Sequence, residues 1–241
     1  MELTKEKTVR QIALESSTAT RIFEQFGIDY CCGGNRPLEQ ACQAAKINFE
    51  QVLDALDLAQ QSNEAVQPNR DWQSAPLSDL IAHIERKHHT FVRSEIERLG
   101  PLFDKVCGVH GKTHTELLEA RSVFDDLRQE LTMHLMKEEK VLFPYVRRLE
   151  EARLQKEPIA PAPFGSVRHP ISMMEHEHDS AGESLRSLRS LTSGYTAPEE
   201  ACVSYKALYR ALAEFEADLH QHIHLENNIL FPRATEMERT A

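Results

Sequence analysis

Histidine and glutamate recur at one fixed spacing in the two copies of a short internal repeat. Residues 134–144 align without gaps on residues 222–232, and both copies read H-x-x-x-E followed by L-F-P at a common offset. Side chains four residues apart on an α-helix lie on one face, so each histidine and glutamate point the same way. We expect the proline of each copy to end its helix just beyond. Each copy therefore offers one imidazole and one carboxylate.

Side chains of these types at this spacing predict a site for two metal ions. A single H-x-x-x-E is ordinarily a solvated pair, but two copies among apolar residues are costly to bury without a cation. Imidazole with carboxylate suits iron, with manganese or zinc as alternatives, and six ligands leave room for an oxo bridge and a small molecule. One histidine upstream of each copy completes the set. The predicted terminal ligands are His89, His134, His178 and His222, and the predicted bridges are Glu138 and Glu226.

Spacing alone leaves the two upstream histidines open. His88 and His176 each precede the motif histidine of their half by 46 residues, so they fit the repeat as well as the pair chosen above, at 45 and 44 residues. His220 and His224 form an H-x-x-x-H that could bind zinc, but the first half has threonine and methionine at these places. That asymmetry favours surface positions for both.

The elements that must position these residues are helices. Proline disrupts a helix interior, and the proline-free stretches 77–100, 102–143, 171–197 and 199–231 can each hold a helix of several turns. Pro158, Pro161 and Pro163 lie between the middle two stretches and indicate an extended crossover. Apolar residues in the last stretch recur at spacings of three, four and seven, which is the helical period. We predict an all-α protein, with a small helical N-terminal domain at 1–60, a linker at 61–75 and a four-helix bundle at 76–241.

Composition excludes several classes of partner. The chain has 241 residues, 9 glycines, 12 histidines and a formal charge of −10, which argues against nucleic acid and anionic membranes as partners. The first residues lack an apolar leader, and no run of about 18 apolar residues occurs. Five cysteines are an odd number and are mostly dispersed, which is typical of a reducing compartment. We therefore expect a cytoplasmic protein.

Two adjacent cysteines stand apart from the other three. Cys31 and Cys32 follow a helical pattern that ends at Gly27, and the glycines after them predict an exposed turn that presents both thiols. A soft, iron-binding or redox thiol pair is one interpretation. Burial as two small apolar side chains is the other, because that is the commoner fate of a free cysteine.

Several motifs together resemble known proteins. The bundle resembles the hemerythrin-like domain, and the whole chain is similar to the di-iron "repair of iron centres" family, which joins that domain to a short cysteine-containing domain of the ScdA type. The resemblance covers essentially the full length of the chain. The segments that carry it are residues 23–34, 109–114, 134–144, 174–179 and 222–232.

The resemblance narrows the ligand set that spacing left open. It places the upstream ligands on His89 and His178, and it implies two iron ions joined by an oxo bridge and by carboxylates. Glu130 and Glu177 match acidic positions of the family, so they are candidates to support the ligands or to line a path for iron. No ligand position of the family is substituted in this chain.

The resemblance also implies a function. It is the repair of iron–sulfur clusters damaged by nitric oxide or oxidative stress, through iron donation or handling of nitric oxide at the iron site, with Cys31 and Cys32 helping in docking or transfer. The implied partners are damaged iron–sulfur proteins, nitric oxide or O₂, and a second copy of the chain. Reduction of nitric oxide to nitrous oxide, and binding or sensing of O₂ or nitric oxide, are the alternatives. Iron donation needs no conventional turnover, so the sequence leaves open whether the protein is an enzyme.

Overall fold

The computed structural model describes residues 7–62, 71–158 and 162–240. Within these ranges the chain forms helices and no β-strand, which confirms the predicted all-α class. The predicted linker 61–75 includes residues 63–70, and the predicted crossover includes Pro161; these lie outside the described residues. The extents 1–60, 61–75 and 76–241 stay a prediction.

Four short helices build the N-terminal part. They are α1 (Val9–Glu15), α2 (Ser17–Phe26), α3 (Leu38–Ala45) and α4 (Phe49–Ser62). Thr8 and Gln11 form a capping box at the start of α1, and Gly27 ends α2 in the left-handed region at φ 64°, which glycine adopts without strain. Buried apolar side chains from all four helices, among them Phe23 and Leu38, form one core.

Four long helical rods build the rest of the structure. Their helices are α5 (Leu77–Ile84), α6 (Thr90–His110), α7 (Glu116–Lys137), α8 (Phe143–Gln155), α9 (Arg168–Leu191), α10 (Val203–Leu225) and α11 (Phe231–Arg239). Single π-helical turns at Glu85–His89, Glu138–Leu142 and Glu226–Leu230 join α5 to α6, α7 to α8 and α10 to α11. α7 packs against α9 and α10 packs against α6, which gives the predicted four-helix bundle.

The prolines do not mark the helix ends that the sequence predicts. Pro101 lies inside α6, where its ring faces solvent and buried neighbours on both sides hold the helix, so the first break falls after His110. Pro144 and Pro232 occupy the first turns of α8 and α11, and the rods continue through them. Proline is tolerated in a first turn because the backbone N–H is unpaired there in any case.

Two apolar clusters fill the bundle, one toward each end. One contains Phe103, Phe124 and Phe215, and the other contains Phe143 and Phe231. Along every rod the predicted ligands lie at the boundary between the two clusters. The candidate site is thus a polar layer between two apolar ones, where charges interact strongly. None of the described helices is long and apolar enough to cross a bilayer.

Hydrogen bonds attach the N-terminal helices to the last rod. Gln221 donates to the hydroxyl of Tyr30 at 2.8 Å, and Asn228 donates to the Tyr30 carbonyl at 3.2 Å. His220 pairs with Glu24 at 2.7 Å. These contacts place the turn that carries the vicinal cysteines against the end of α10 and the last π-helical turn.

Candidate metal centre

Six buried side chains from all four rods converge in the polar layer. Each is 3% exposed or less. They form two overlapping groups whose potential ligand atoms lie within 4.8 Å of one another, and both groups share the same two carboxylates. The six are His89, His134, Glu138, His178, His222 and Glu226.

The first position lies between His89 and His222. Their Nε2 atoms are 3.2 Å apart, so one histidine of the first half of the repeat faces one of the second half. Glu138 Oε2 lies 3.4 Å from His89 Nε2, and Glu226 Oε1 lies 3.1 Å from His222 Nε2. Two nitrogens and two oxygens therefore surround one point.

The second position has the same composition. The Nε2 atoms of His134 and His178 are 3.1 Å apart. Glu138 Oε1 lies 3.4 Å from His134 Nε2, and Glu226 Oε2 lies 3.2 Å from His178 Nε2. Each carboxylate thus directs one oxygen to each position, which is the arrangement of a bridging ligand.

The Nδ1 atoms of three of these histidines have acceptors. His89 Nδ1 donates to Glu139 at 2.8 Å, and His134 Nδ1 donates to Glu177 at 2.8 Å. His178 Nδ1 donates to the side-chain oxygen of Asn227, also at 2.8 Å. His222 Nδ1 is buried without a partner among the described residues. A proton held on Nδ1 leaves the Nε2 lone pair of a neutral imidazole free to coordinate.

The donor set fits cations. All four oxygens of Glu138 and Glu226 are buried without a hydrogen-bond donor among the described residues. Lone pairs of facing imidazoles and carboxylates would repel one another at 3.1–3.4 Å unless a proton or a metal ion lay between them. Imidazole and carboxylate are ligands for iron, manganese and zinc.

The buried carboxylates favour positive charge among the imidazoles. Burial favours neutral His134, but the carboxylates of Glu138 and Glu177 outweigh it and raise its pKa to about 10. Burial likewise opposes ionisation of Glu226, yet His222 and His178 hold its pKa well below the ordinary value. Metal binding must therefore displace protons from this cluster.

The π-helical turns lie at the candidate ligands. Glu138 and Glu226 each begin one, and His89 ends another. A π-helical turn widens the helix by one residue, and such turns occur frequently at functional sites. Here each turn reorients a ligand between the apolar layers.

The rival histidines lie outside the six. His88 is buried and bonds Asp218 at 3.0 Å, and His176 lines an outer groove between α7 and α9. The expected surface positions of His220 and His224 are wrong, because the N-terminal helices cover this face of α10. His224 is buried against Tyr30, and burial lowers its pKa to about 4.

The two acidic candidates differ. Glu177 accepts from His134 and also bonds Lys137, so it supports a candidate ligand directly. Glu130 accepts from Ser180 at 3.2 Å and lines a small cavity beside the second position. Apolar side chains from three rods complete that cavity: Leu131, Ala181, Leu219 and Ile223.

The exposed turn predicted for the cysteines is wrong for one of them. Cys31 is 5% exposed and Cys32 is half-buried, with their Sγ atoms 3.8 Å apart. Asp29 Oδ1 accepts from the backbone N–H groups of Cys31, Cys32 and Gly33 at 3.0–3.1 Å, which curls the turn inward. Cys32 Sγ then lies 3.8 Å from the carbonyl oxygen of His178.

Sequence reasoning missed Glu139 and Asn227. Both directly follow the bridging glutamate of their copy of the repeat, and both hold the Nδ1 of a histidine from another rod. Their common offset was a signal available in the alignment of the two copies.

A helical bundle with two buried groups of candidate cation ligands that share two carboxylates is the class that this fold and site define. Residues 80–234 match the family model described as "Hemerythrin HHE cation binding domain". Residues 5–60 match ScdA_N, a domain of unknown function (DUF542).

Named relatives match nearly the whole chain and are matched over nearly their whole length. A probable iron-sulfur cluster repair protein of Haemophilus influenzae is 36% identical over 95% of this chain and 96% of its own length. The iron-sulfur cluster repair protein YtfE of Edwardsiella ictaluri is 39% identical over 95% of this chain and 97% of its own, and that of Yersinia pseudotuberculosis is 38% identical over 92% and 94%. The chain belongs to the family of these YtfE-type proteins with a hemerythrin HHE domain, which confirms the resemblance.

Proposed function

We propose that the six buried side chains hold two iron ions, and that this iron serves the repair of iron–sulfur clusters damaged by nitric oxide or oxidative stress. His89 and His222 bind one ion, His134 and His178 bind the other, and Glu138 and Glu226 bridge them together with an oxo group. The observation that carries the proposal is the set of four buried carboxylate oxygens that have no donor in the part of the chain that the structure describes and that face two pairs of Nε2 atoms. The names of the relatives support the repair role.

The protein environment would make the iron both bound and exchangeable. Each position offers four donor atoms from the protein, so an ion that prefers six ligands keeps places open for incoming groups. Bound iron would supply redox capacity and an exchangeable ion for a damaged cluster. Glu139 and Glu177 keep the Nδ1 protons of His89 and His134 in place, which orients both rings.

Metal analysis and cluster reactivation test this function. The anaerobically purified chain should contain two iron ions, which Mössbauer spectroscopy would show to be coupled, and it should reactivate a dehydratase damaged by nitric oxide. Glu138→Ala and Glu226→Ala should abolish reactivation, whereas Glu119→Ala, which alters an exposed glutamate of α7, should retain it. Reactivation by both bridge variants at the parent rate would refute the proposal.

Handling of nitric oxide at the same site is a second candidate. The small cavity beside the second position is lined by Leu131, Leu219 and Ile223, which suits a small, weakly polar diatomic ligand. Two such ligands held side by side would lose little further entropy on coupling. Their reduction to one nitrous oxide and one water would take two protons and two electrons, one electron from each ferrous ion. Anaerobic gas analysis should then show nitrous oxide above the rate of free ferrous iron. A stable complex with O₂ or nitric oxide and no product would instead support binding or sensing.

The partner and compartment predictions extend this proposal. We infer a cytoplasmic homodimer that forms through the N-terminal helices and acts on damaged iron–sulfur proteins. Analytical ultracentrifugation of the full chain should show the mass of a dimer, and a monomer at micromolar concentration would contradict it.

A further inference from the structure

The side-chain amide of Asn227 joins the cysteine turn to a candidate iron ligand. Its Oδ1 accepts from His178 Nδ1 at 2.8 Å, and its Nδ2 donates to the Cys31 carbonyl at 3.4 Å. One planar group therefore connects two elements that are far apart in the sequence, the turn after α2 and the middle of α9. The side chain of His178 is thereby linked to the turn through this amide.

The two copies of the internal repeat differ at this position. In the first copy the corresponding residue is Glu139, whose carboxylate accepts from His89 and from Arg93. A carboxylate can only accept, whereas an amide accepts and donates. The second copy therefore has a hydrogen-bond donor at the position that faces the backbone carbonyl of Cys31.

Neighbouring contacts reinforce this connection. The Cys32 thiol lies 3.8 Å from the His178 carbonyl oxygen, so the turn contacts the backbone of the ligand as well. Asn228 donates to the Tyr30 carbonyl at 3.2 Å, one residue before Cys31. The turn thus contacts the ligand and the two residues that follow the bridging Glu226.

We propose that Asn227 is a positioning residue that couples iron occupancy of the second position to the accessibility of Cys32. This inference rests on the proposed function, because it takes His178 as an iron ligand. A cation on Nε2 withdraws electron density from the ring and makes Nδ1–H a stronger donor to Asn227. The tightened amide holds the cysteine turn closer to the bundle. Coupling of this kind is reciprocal, so lifting the turn weakens iron binding at the second position.

Alkylation of Cys32 in the full chain tests the coupling. The rate of reaction with iodoacetamide is followed for each cysteine by mass spectrometry under anaerobic conditions, without metal and with saturating ferrous iron. We expect iron to slow alkylation of Cys32 about threefold to tenfold, the effect of one strengthened hydrogen bond. Asn227→Asp keeps the acceptor for His178 but removes the donor to Cys31, so it should lose most of this slowing while still binding iron.

Matched measurements separate coupling from a general structural effect. Glu139→Gln alters the equivalent residue at the first position, and at saturating iron it should keep the parent slowing of Cys32. Cys202 is an exposed residue directly before α10, far from the turn in the sequence. The rate of its alkylation should not respond to iron. Circular dichroism confirms that each variant is folded.

The outcomes distinguish the inference from the function beneath it. Equal slowing in Asn227→Asp and in the parent would overturn the coupling and would point to iron bound directly by the thiols. Two bound ions with no change at Cys32 would also overturn it and would leave the proposed function intact. A parent chain that binds no iron would overturn both.

Discussion

The two cation positions have the same ligand types but different surroundings. At the first, His89 is held by the carboxylate of Glu139, and the ring of His222 stacks on His88 with centroids 5.7 Å apart. At the second, His178 is held by the neutral amide of Asn227, beneath the cysteine turn and beside the small cavity. The two positions therefore differ in what surrounds the imidazoles and not in the types of ligand.

This difference predicts unequal behaviour of the two ions. A carboxylate acceptor on Nδ1 raises the basicity of the ligand more than an amide does. His178 should therefore be a weaker base than His134, whose Nδ1 donates to the carboxylate of Glu177. The first position likewise has one imidazole without a carboxylate acceptor, because His222 Nδ1 has no partner among the described residues. The cavity borders the second position, so we expect iron to leave that position first.

The largest expected effect concerns both positions together, since they share both carboxylates. Iron at about a thousandfold above its dissociation constant should raise the free energy of unfolding by about 4 kcal/mol per site. Thermal unfolding with ferrous iron and with a chelator measures the difference. Glu226→Gln removes a bridge from both positions and should erase the rise, whereas equal melting of the parent in both conditions would exclude a metal site.

Removal of one terminal ligand tests the inequality of the positions. His89→Ala and His178→Ala should each reduce the iron content from two ions to about one, because the altered position loses one of its two imidazoles. The ion that remains in His89→Ala occupies the second position, so a chelator should remove it faster than the ion that remains in His178→Ala. Stopped-flow chelation measures both rates, and the reverse order would refute the proposed difference.

Substitution of the side chains that accept a hydrogen bond from a ligand Nδ1 should have a weaker effect on iron binding. Glu139→Gln and Glu177→Gln replace a charged acceptor by a neutral one, and each should lower iron affinity about tenfold to hundredfold. Competition with a chromophoric chelator measures the affinity, with Glu119→Gln as the control on the exposed surface of α7. If both variants bound iron as tightly as the control, the charge of these acceptors would have no part in tuning the ligands.

The sequence predicts the class of fold and the six converging residues. Metal coordination requires side chains at fixed helical spacings, and a spacing that occurs twice can be recognised in the amino-acid sequence. Spacing could not choose between His88 and His89. Adjacent residues on a helix differ by about 100° in direction, and only packing decides which one faces the core. The family resemblance pointed to His89, the residue that the structure brings to the first position.

Other features depend on tertiary contacts that have no local pattern. The π-helical turns at Glu138 and Glu226 are each followed by the proline of an L-F-P segment, but the third turn, at Glu85–His89, has no L-F-P segment after it, so no single local pattern predicts all three. Cys31 is buried because Asp29 curls the turn and α10 receives it, although the flanking residues are polar. Proline ordinarily disrupts a helix interior, but the packing around α6 accommodates Pro101.

The smallest expected effect is acid loosening of the cysteine turn over the second position. Desolvation opposes ionisation of Asp29, but hydrogen bonds from the N–H groups of Gly33 and Cys32 outweigh it and lower its pKa from the ordinary value of 3.8. A lowered pKa stabilises the turn fully above that ordinary value, and the stabilisation is lost as pH falls through the lower value of the folded state. Asp29→Asn should lack it at every pH.

Hydrogen exchange of the turn amides measures this effect. Protection factors of Cys32 and Gly33 should be constant from pH 8 to pH 5 and should fall only below the ordinary aspartate pKa of 3.8. Asp29→Asn should reduce them about fivefold at neutral pH, which corresponds to a hydrogen-bond contribution near 1 kcal/mol at a partly exposed site. The backbone amides of Leu208 and Leu212 in α10 lie within the apolar cluster that contains Phe215. Their exchange reports global unfolding in the same sample. Loss of protection already at pH 5, or equal protection in Asp29→Asn, would show that the carboxylate does not hold the turn against the second position.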